Sequence, residues 1–267
     1  MIRQAVVAGS FYPANPAELQ VEVERLLQTE QPPQAAKALI VPHAGYVFSG
    51  AVAGEVIAAT KIPRVVLLLG PNHQGAGCEI AVTEAESWAT PLGNVPIAAA
   101  LRSQLCAAIS DLQVDERAHQ FEHSLEVMLP MLQHSQPQLQ IVPIALRYLS
   151  LNQCLQLGSD LAAVLKQLSE EVLLLASSDM NHFKDAETTE RLDCMAIKKM
   201  TDYDPVGLYQ TVQENRISMC GVLPAVVVMQ AARELGASRC RLLRHTHSGQ
   251  VNGDNHRVVG YAALSIN

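Results

Sequence analysis

Val65-Val66-Leu67-Leu68-Leu69-Gly70-Pro71-Asn72-His73 is the stretch that decides the fold. An aliphatic run stops abruptly at Gly-Pro and is followed by a histidine. A short, continuous apolar run bounded by breakers reads as a strand buried on both faces, the kind that fills parallel sheets. Two other runs repeat the form. Ala38-Leu39-Ile40-Val41-Pro42 ends in His43, and Val172-Leu173-Leu174-Leu175-Ala176 opens into Ser177-Ser178-Asp179-Met180-Asn181-His182. In open α/β sheets, ligands bind beyond the carboxyl ends of the strands. Three such ends, carrying His, His and an Asp/His pair, point to one pocket. Neutral imidazole is the commonest protein ligand for transition metals, so metal chemistry is expected there.

Outward from these runs, strands are predicted at 37–42, 64–70, 140–146, 172–176, 239–244 and 257–265, with a strand-like piece at 79–83. Asn15 caps a helix that starts at Pro16 and runs to about Thr29, where Gln31-Pro32-Pro33-Gln34 breaks it. Further helices are predicted over 50–60, 95–109, 122–129, 151–168, 186–200 and 224–235, with a short one from Asp204. Pro130 is expected to kink or end the helix over 122–129, and Gly236 to close the one over 224–235. Thr90-Pro91-Leu92-Gly93-Asn94 reads as a turn. The alternation of strands and helices predicts an α/β fold. It is read as a single-domain sandwich over 1–267, with a central mostly parallel or mixed sheet flanked by helices.

Composition narrows the function. The chain has 267 residues, is 49% hydrophobic and carries a formal charge of −7. No basic block appears, and aromatics make up only 4%, so neither a nucleic-acid footprint nor a base-stacking platform is expected. No apolar run reaches the ~18 residues of a membrane span, and the amino terminus lacks a signal-peptide core. A cytoplasmic protein is the expectation. The six cysteines form no Cys-x-x-Cys pair, and each reads by default as a small buried hydrophobe.

Cys220 stands apart, because it lies at the mouth of the last long helix. The positive end of a helix dipole favours thiolate, the form that binds metal or attacks a substrate. The competing reading is one more buried cysteine. Asp179 and His182 suit a general acid/base pair, or partners that orient a ligand. A helix-capping Asp beside an exposed His is the plainer alternative. His123 and Glu126 fall on one face of the helix predicted over 122–129. His119 and His134 read as part of a solvated face.

Seven motifs occur in a fixed order: Gly9-Ser10-Phe11-Tyr12-Pro13, Pro42-His43-Ala44-Gly45-Tyr46, Gly70-Pro71-Asn72-His73, Thr90-Pro91-Leu92-Gly93, Glu122-His123-Ser124-Leu125-Glu126, Ser177-Ser178-Asp179-Met180-Asn181-His182 and Cys220-Gly221. With them the chain resembles, over nearly its whole length, the Memo family, named for a mediator of cell motility. Prokaryotic members are also called protein B of the AMMECR/Memo/radical-SAM system. The resemblance implies a fold like the catalytic subunit of class III extradiol dioxygenases, non-haem iron enzymes with two histidines and a glutamate on the metal. By similarity His43 and His73 take the histidine places, and Cys220 stands where those enzymes have Glu. Asp179, His182 and His123 would line the same pocket in catalytic roles.

The implied cofactor is iron first, with copper or zinc as alternatives. Thiolate in place of carboxylate argues against ring cleavage. The family has been linked to iron or copper binding, to redox activity and, in animals, to phosphopeptide binding. Two functions follow as expectations. One is a metal-dependent oxidoreductase. The other is a non-catalytic peptide- or protein-binding module that uses the same dioxygenase-like pocket, partnered by AMMECR-type and radical-SAM proteins; a small molecule or a peptide is the expected ligand.

Overall fold

The aliphatic runs do pair into one sheet, and their alternation decides which side chains face which layer. The computed structural model describes residues 1–30 and 32–267; Gln31, first residue of the predicted breaker, lies outside them. The strands are β1 (Ile2–Arg3), β2 (Ala38–Val41), β3 (Val65–Pro71), β4 (Ile80–Val82), β5 (Ser87–Thr90), β6 (Gly93–Pro96), β7 (Gln113–Val114), β8 (Gln140–Leu146), β9 (Val172–Ser177), β10 (His182–Lys184), β11 (Cys240–His247) and β12 (Val258–Ile266). The helices are α1 (Pro16–Leu26), α2 (Ala51–Ala58), α3 (Ala99–Ala108), α4 (Leu129–Ser135), α5 (Leu151–Leu165), α6 (Ala186–Thr201), α7 (Pro205–Glu214), α8 (Val222–Glu234) and the single turn α9 (Gly249–Asn252).

The large sheet runs β10-β12-β2-β9-β3-β8-β4-β7, with β11 also paired to β12. Its centre, β2-β9-β3-β8, is parallel, and β12 and β4 close it antiparallel on either side. The sheet is therefore mixed around a parallel heart. Strict alternation splits the core. Ala38, Ile40, Val65, Leu67 and Leu69 face a layer that includes residues of α3, α5, α6, α7 and α8, whereas Leu39, Val41, Val66 and Leu68 face α1, α2 and α4. This is the helix–sheet–helix sandwich expected of buried parallel strands. A second, three-stranded sheet, β1-β5-β6, lies apart from it in the pairing, and the predicted turn at 90–94 is the tip of its β5–β6 hairpin.

Local signals set several boundaries as expected. Asn15 Oδ1 accepts from the backbone N–H of Ala17 and Glu18 at 2.9 and 3.2 Å, with Pro16 at the start of α1. Gly236 follows α8 with φ +90°, a conformation only glycine adopts without strain.

One predicted helix fails. Residues 122–125 are not helical; a 3₁₀ turn at Glu126–Met128 leads into α4, with Pro130 in its first turn. Proline suits a helix start because its missing N–H is not needed there. His123 and Glu126 consequently do not share a helix face, and Glu126 turns inward and is fully buried. His119 also departs from the solvated face: it is fully buried, its Nε2 3.1 Å from the Ala81 carbonyl, whereas His134 is exposed as expected. Cys194 is exposed rather than buried. No helix among the described residues is long and apolar enough to cross a membrane.

The buried His119 makes stability depend on pH. Burial holds its imidazole down at about 4, against a slightly opposing hydrogen bond to the Ala81 carbonyl. The unfolded chain takes up a proton near the ordinary value of about 6.5, so between these two values it binds a proton that the folded chain refuses. Stability is present above about 6.5 and is lost as pH falls towards 4, by up to about 3 kcal/mol. Urea unfolding at pH 7 and pH 4.5 measures this. His119→Phe should flatten the difference, and an unchanged pH slope in that variant would refute the assignment.

Candidate metal centre

The parallel heart of the sheet ends on one edge. Val41 pairs with Ser177, Leu69 with Ala176 and Pro71 with Leu146, so the residues that follow β2, β9, β3 and β8 emerge side by side. That register brings His43, Asp179 and His73 to one end of the sheet.

His43 is buried, and its orientation is fully determined. Its backbone N–H donates to Asp179 Oδ1 at 2.8 Å. Its Nδ1 lies 2.7 Å from Ser177 Oγ, and the Ser177 hydroxyl donates its own proton to the Ser124 carbonyl at 2.6 Å. Ser177 therefore accepts from Nδ1–H, and the lone pair of His43 sits on Nε2. His73 follows the same logic. Its backbone N–H donates to Glu122 Oε2 at 2.6 Å, and its Nδ1 donates to Glu122 Oε1 at 2.9 Å. Burial pushes the Glu122 carboxyl up, but the hydrogen bonds from the His73 ring and the Ser124 N–H bring it down to about 2. An ionised carboxylate only accepts, so Nε2 of His73 is also the free lone pair. A carboxylate behind the distal ring nitrogen is how metal-ligating histidines are commonly oriented.

His123 completes the group. Its ring stacks on His73 with centroids 4.8 Å apart and planes 19° apart, meets His43 edge-on at 5.5 Å, and packs against Phe11 at 4.8 Å. Its Nδ1 is 3.5 Å from Glu122 Oε1. One ligand atom from each of His43, His73 and His123 lies within 4.8 Å of the others. Nitrogens bound at about 2.1 Å to one tetrahedral ion stand about 3.4 Å apart, so the widest pair needs to close by up to about 1.4 Å. Burial holds His43 and His123 below the ordinary imidazole range, which keeps them in the neutral form that binds metal.

Cys220 reaches this group through His43: Sγ is 3.4 Å from Nε2. Two donors on one tetrahedral ion, at about 2.3 Å for sulfur and 2.1 Å for nitrogen, lie about 3.5 Å apart, so that spacing fits. The approach depends on glycine. A Cβ on Gly221 would sit 2.2 Å from the Ser177 carbonyl oxygen and 2.4 Å from Ser178 Cβ. The protonation expected at the helix mouth is reversed. Burial, then the Asp179 carboxylate, push the Cys220 thiol up, so the neutral thiol prevails over the dipole of α8.

The other two predicted residues hold different posts. Burial raises the Asp179 carboxyl, whose Oδ1 is engaged with the His43 backbone rather than with an imidazole ring. His182 is anchored by Ser218, its N–H donating to Ser218 Oγ at 2.7 Å and its Nδ1 to the Ser218 carbonyl at 2.8 Å, and its ring contacts Phe183. Glu122, Ser177 and Phe11 were quoted in motifs but given no role; their work at the site is visible only once the chain is folded.

Beneath the centre lies a buried ion pair. Arg3 Nη1 donates to Glu126 Oε2 at 2.7 Å, Nε to the His119 carbonyl at 2.8 Å and Nη2 to the Glu122 carbonyl at 2.6 Å. Glu126 also accepts from the N–H groups of Val6 and Val7 and from the Tyr12 hydroxyl. The amino-terminal segment and the 119–126 loop are thus bolted together, and Phe11 and His123 meet above the bolt.

Fold and site together define an α/β protein with a histidine-rich candidate metal centre at the carboxyl edge of its sheet. A family model described as Memo-like protein matches residues 3–265. A MEMO1 family protein of Aquifex aeolicus is 38% identical over 265 residues, covering 98% of each chain. One of Methanosarcina mazei is 35% identical over 267 residues, covering 99% of each. The chain belongs to the Memo-like protein family. Among solved structures, an uncharacterized protein of Escherichia coli K12 shares the fold, with a TM-score of 0.60 at 15% identity, over 86% of this chain and 99% of that one.

Proposed function

We propose that this chain is a metal-dependent redox protein, with iron or copper held by His43, His73 and His123 and joined by the Cys220 sulfur. The observation that carries the reading is the paired tautomers. Ser177 and Glu122 occupy Nδ1 of His43 and His73, which leaves both Nε2 lone pairs free beside a third imidazole and a thiol. Imidazoles with a soft sulfur suit copper and iron, and also zinc, which has no redox chemistry of its own. A bound redox ion supplies one-electron chemistry. The chain's own part is to orient the donors and, by burial, to keep His43, His123 and the Cys220 thiol neutral until metal binds. Asp179 fixes the His43 backbone, and His182, held by Ser218, is the candidate proton carrier at the edge of the site.

A reductive and oxidative titration of metal-loaded protein tests this reading. Uptake and release of about one electron per bound ion is the expected result. A stoichiometrically bound metal that stays redox-silent, as zinc would, contradicts it.

A further inference from the structure

Arg147 is a cation with no hydrogen-bonding or ion-pair partner among the described residues. Two other buried or half-buried arginines spend their guanidinium groups on acceptors: Arg3 on Glu126 and the carbonyls of Gln4, His119 and Glu122, and Arg102 on the carbonyls of Thr83, Glu84 and Ala85. The Arg147 side chain makes no hydrogen bond and no ion pair among the described residues, and its Nε is buried with nothing to donate to. A guanidinium has five donors and stays charged, so a buried unsatisfied N–H beside it is a standing cost. A site that is satisfied only when a ligand arrives is the physical situation that tolerates this cost.

Its position suggests which ligand. Asn72 N–H donates to the Leu146 carbonyl at 2.9 Å, and His73 and Arg147 are the residues immediately beyond that bonded pair. That bond continues the register that pairs Pro71 with Leu146 and sets Arg147 beside Asn72, the residue before His73, across one strand spacing of about 5 Å. Arg147 Nη1 lies 3.5 Å from where a Cβ on Gly75 would be, so the guanidinium rests on the loop that carries His73. Tyr148 adds the second wall. Its ring is 5.1 Å from the Arg147 guanidinium carbon, is 76% exposed, and is held outward by a backbone φ of +56°. A left-handed conformation at a bulky aromatic is strained and clusters at binding sites.

We propose that Arg147, flanked by Tyr148, is an oxyanion subsite of the metal centre, and that it takes the carboxylate or phosphate of a small molecule whose other end reaches the imidazoles. The bidentate fork of arginine matches either group. The subsite rests on the metal reading for its purpose but not for its existence.

The test is NMR of the arginine Nε–H signals during titration with acetate, with inorganic phosphate and with neutral acetamide, in metal-free and metal-loaded protein. The Arg147 signal should move at millimolar concentrations of one anion or both, which tells carboxylate from phosphate, and should not respond to acetamide. Arg147→Ala should weaken that anion at least tenfold, and Arg147→Lys should keep part of the binding. Arg257→Ala, which removes the guanidinium stacked on Phe183 at 4.6 Å, should leave it unchanged. An Arg147 signal indifferent to both anions overturns the proposal, as does an equal loss in Arg257→Ala. Anion binding by protein that takes up no metal would sink the metal reading alone; metal uptake with no anion at Arg147 would sink the subsite alone.

Discussion

Arg3→Ala should lower the unfolding free energy by about 3–5 kcal/mol, the usual cost of removing one partner from a buried ion pair. The side chain is almost wholly buried, and so is its partner Glu126. Truncation leaves four acceptors short of a donor, namely Glu126 and the carbonyls of Gln4, His119 and Glu122, and it uncovers the face of Trp88 that the guanidinium covers at 4.1 Å. Glu126 keeps the Val6, Val7 and Tyr12 donors, so its charge is not abandoned altogether. A loss of 3–5 kcal/mol is a large part of the roughly 5–15 kcal/mol that holds a typical domain together. Arg3→Lys should recover only part of it, because a point charge cannot reach four separate acceptors. Urea denaturation measures the effect, and a loss below about 1 kcal/mol would show that the pair contributes no more than a surface contact.

The consequence for the site is geometric. Two of the carbonyls that Arg3 holds belong to His119 and Glu122, and Glu122 is the carboxylate that fixes the His73 ring. Slack in this loop passes directly to two of the three imidazoles.

Much of the sheet and part of the site were legible in the chain, for one reason: strands buried on both faces need uninterrupted aliphatic runs. Runs of that kind at 38–41, 65–69 and 172–176 became β2, β3 and β9, and the polar residues just beyond them emerge at one edge. What could not be read was set by long-range contacts. Arg3 and Glu126 are 123 positions apart and carry no mutual local signature. Residues 122–125 have a helix-compatible pattern, but Glu122 is drawn instead to the His73 backbone and ring, 49 positions away. His119 has polar neighbours in sequence and apolar ones in space. The short strands β1 and β7, two residues each, are too brief to show any period. Cys220 illustrates a different limit. Its place before α8 was correct, but the dipole argument omitted burial, which outweighs it here.

The second large effect concerns the metal. His43→Ala together with His73→Ala removes both rings whose tautomers are fixed by Ser177 and Glu122, leaving His123 and Cys220 as isolated donors. Neither ring's backbone is displaced by the change, since the two N–H groups still donate to Asp179 and Glu122. Folding should therefore survive while affinity falls by more than the roughly 10–100-fold typical of losing a single supporting contact. The decisive measurement is the metal content of protein purified without oxygen, wild type beside this double variant, with thermal unfolding to confirm that both are folded. About one iron or copper per wild-type chain and essentially none in the variant is the expected result. One ion per chain in both would contradict it.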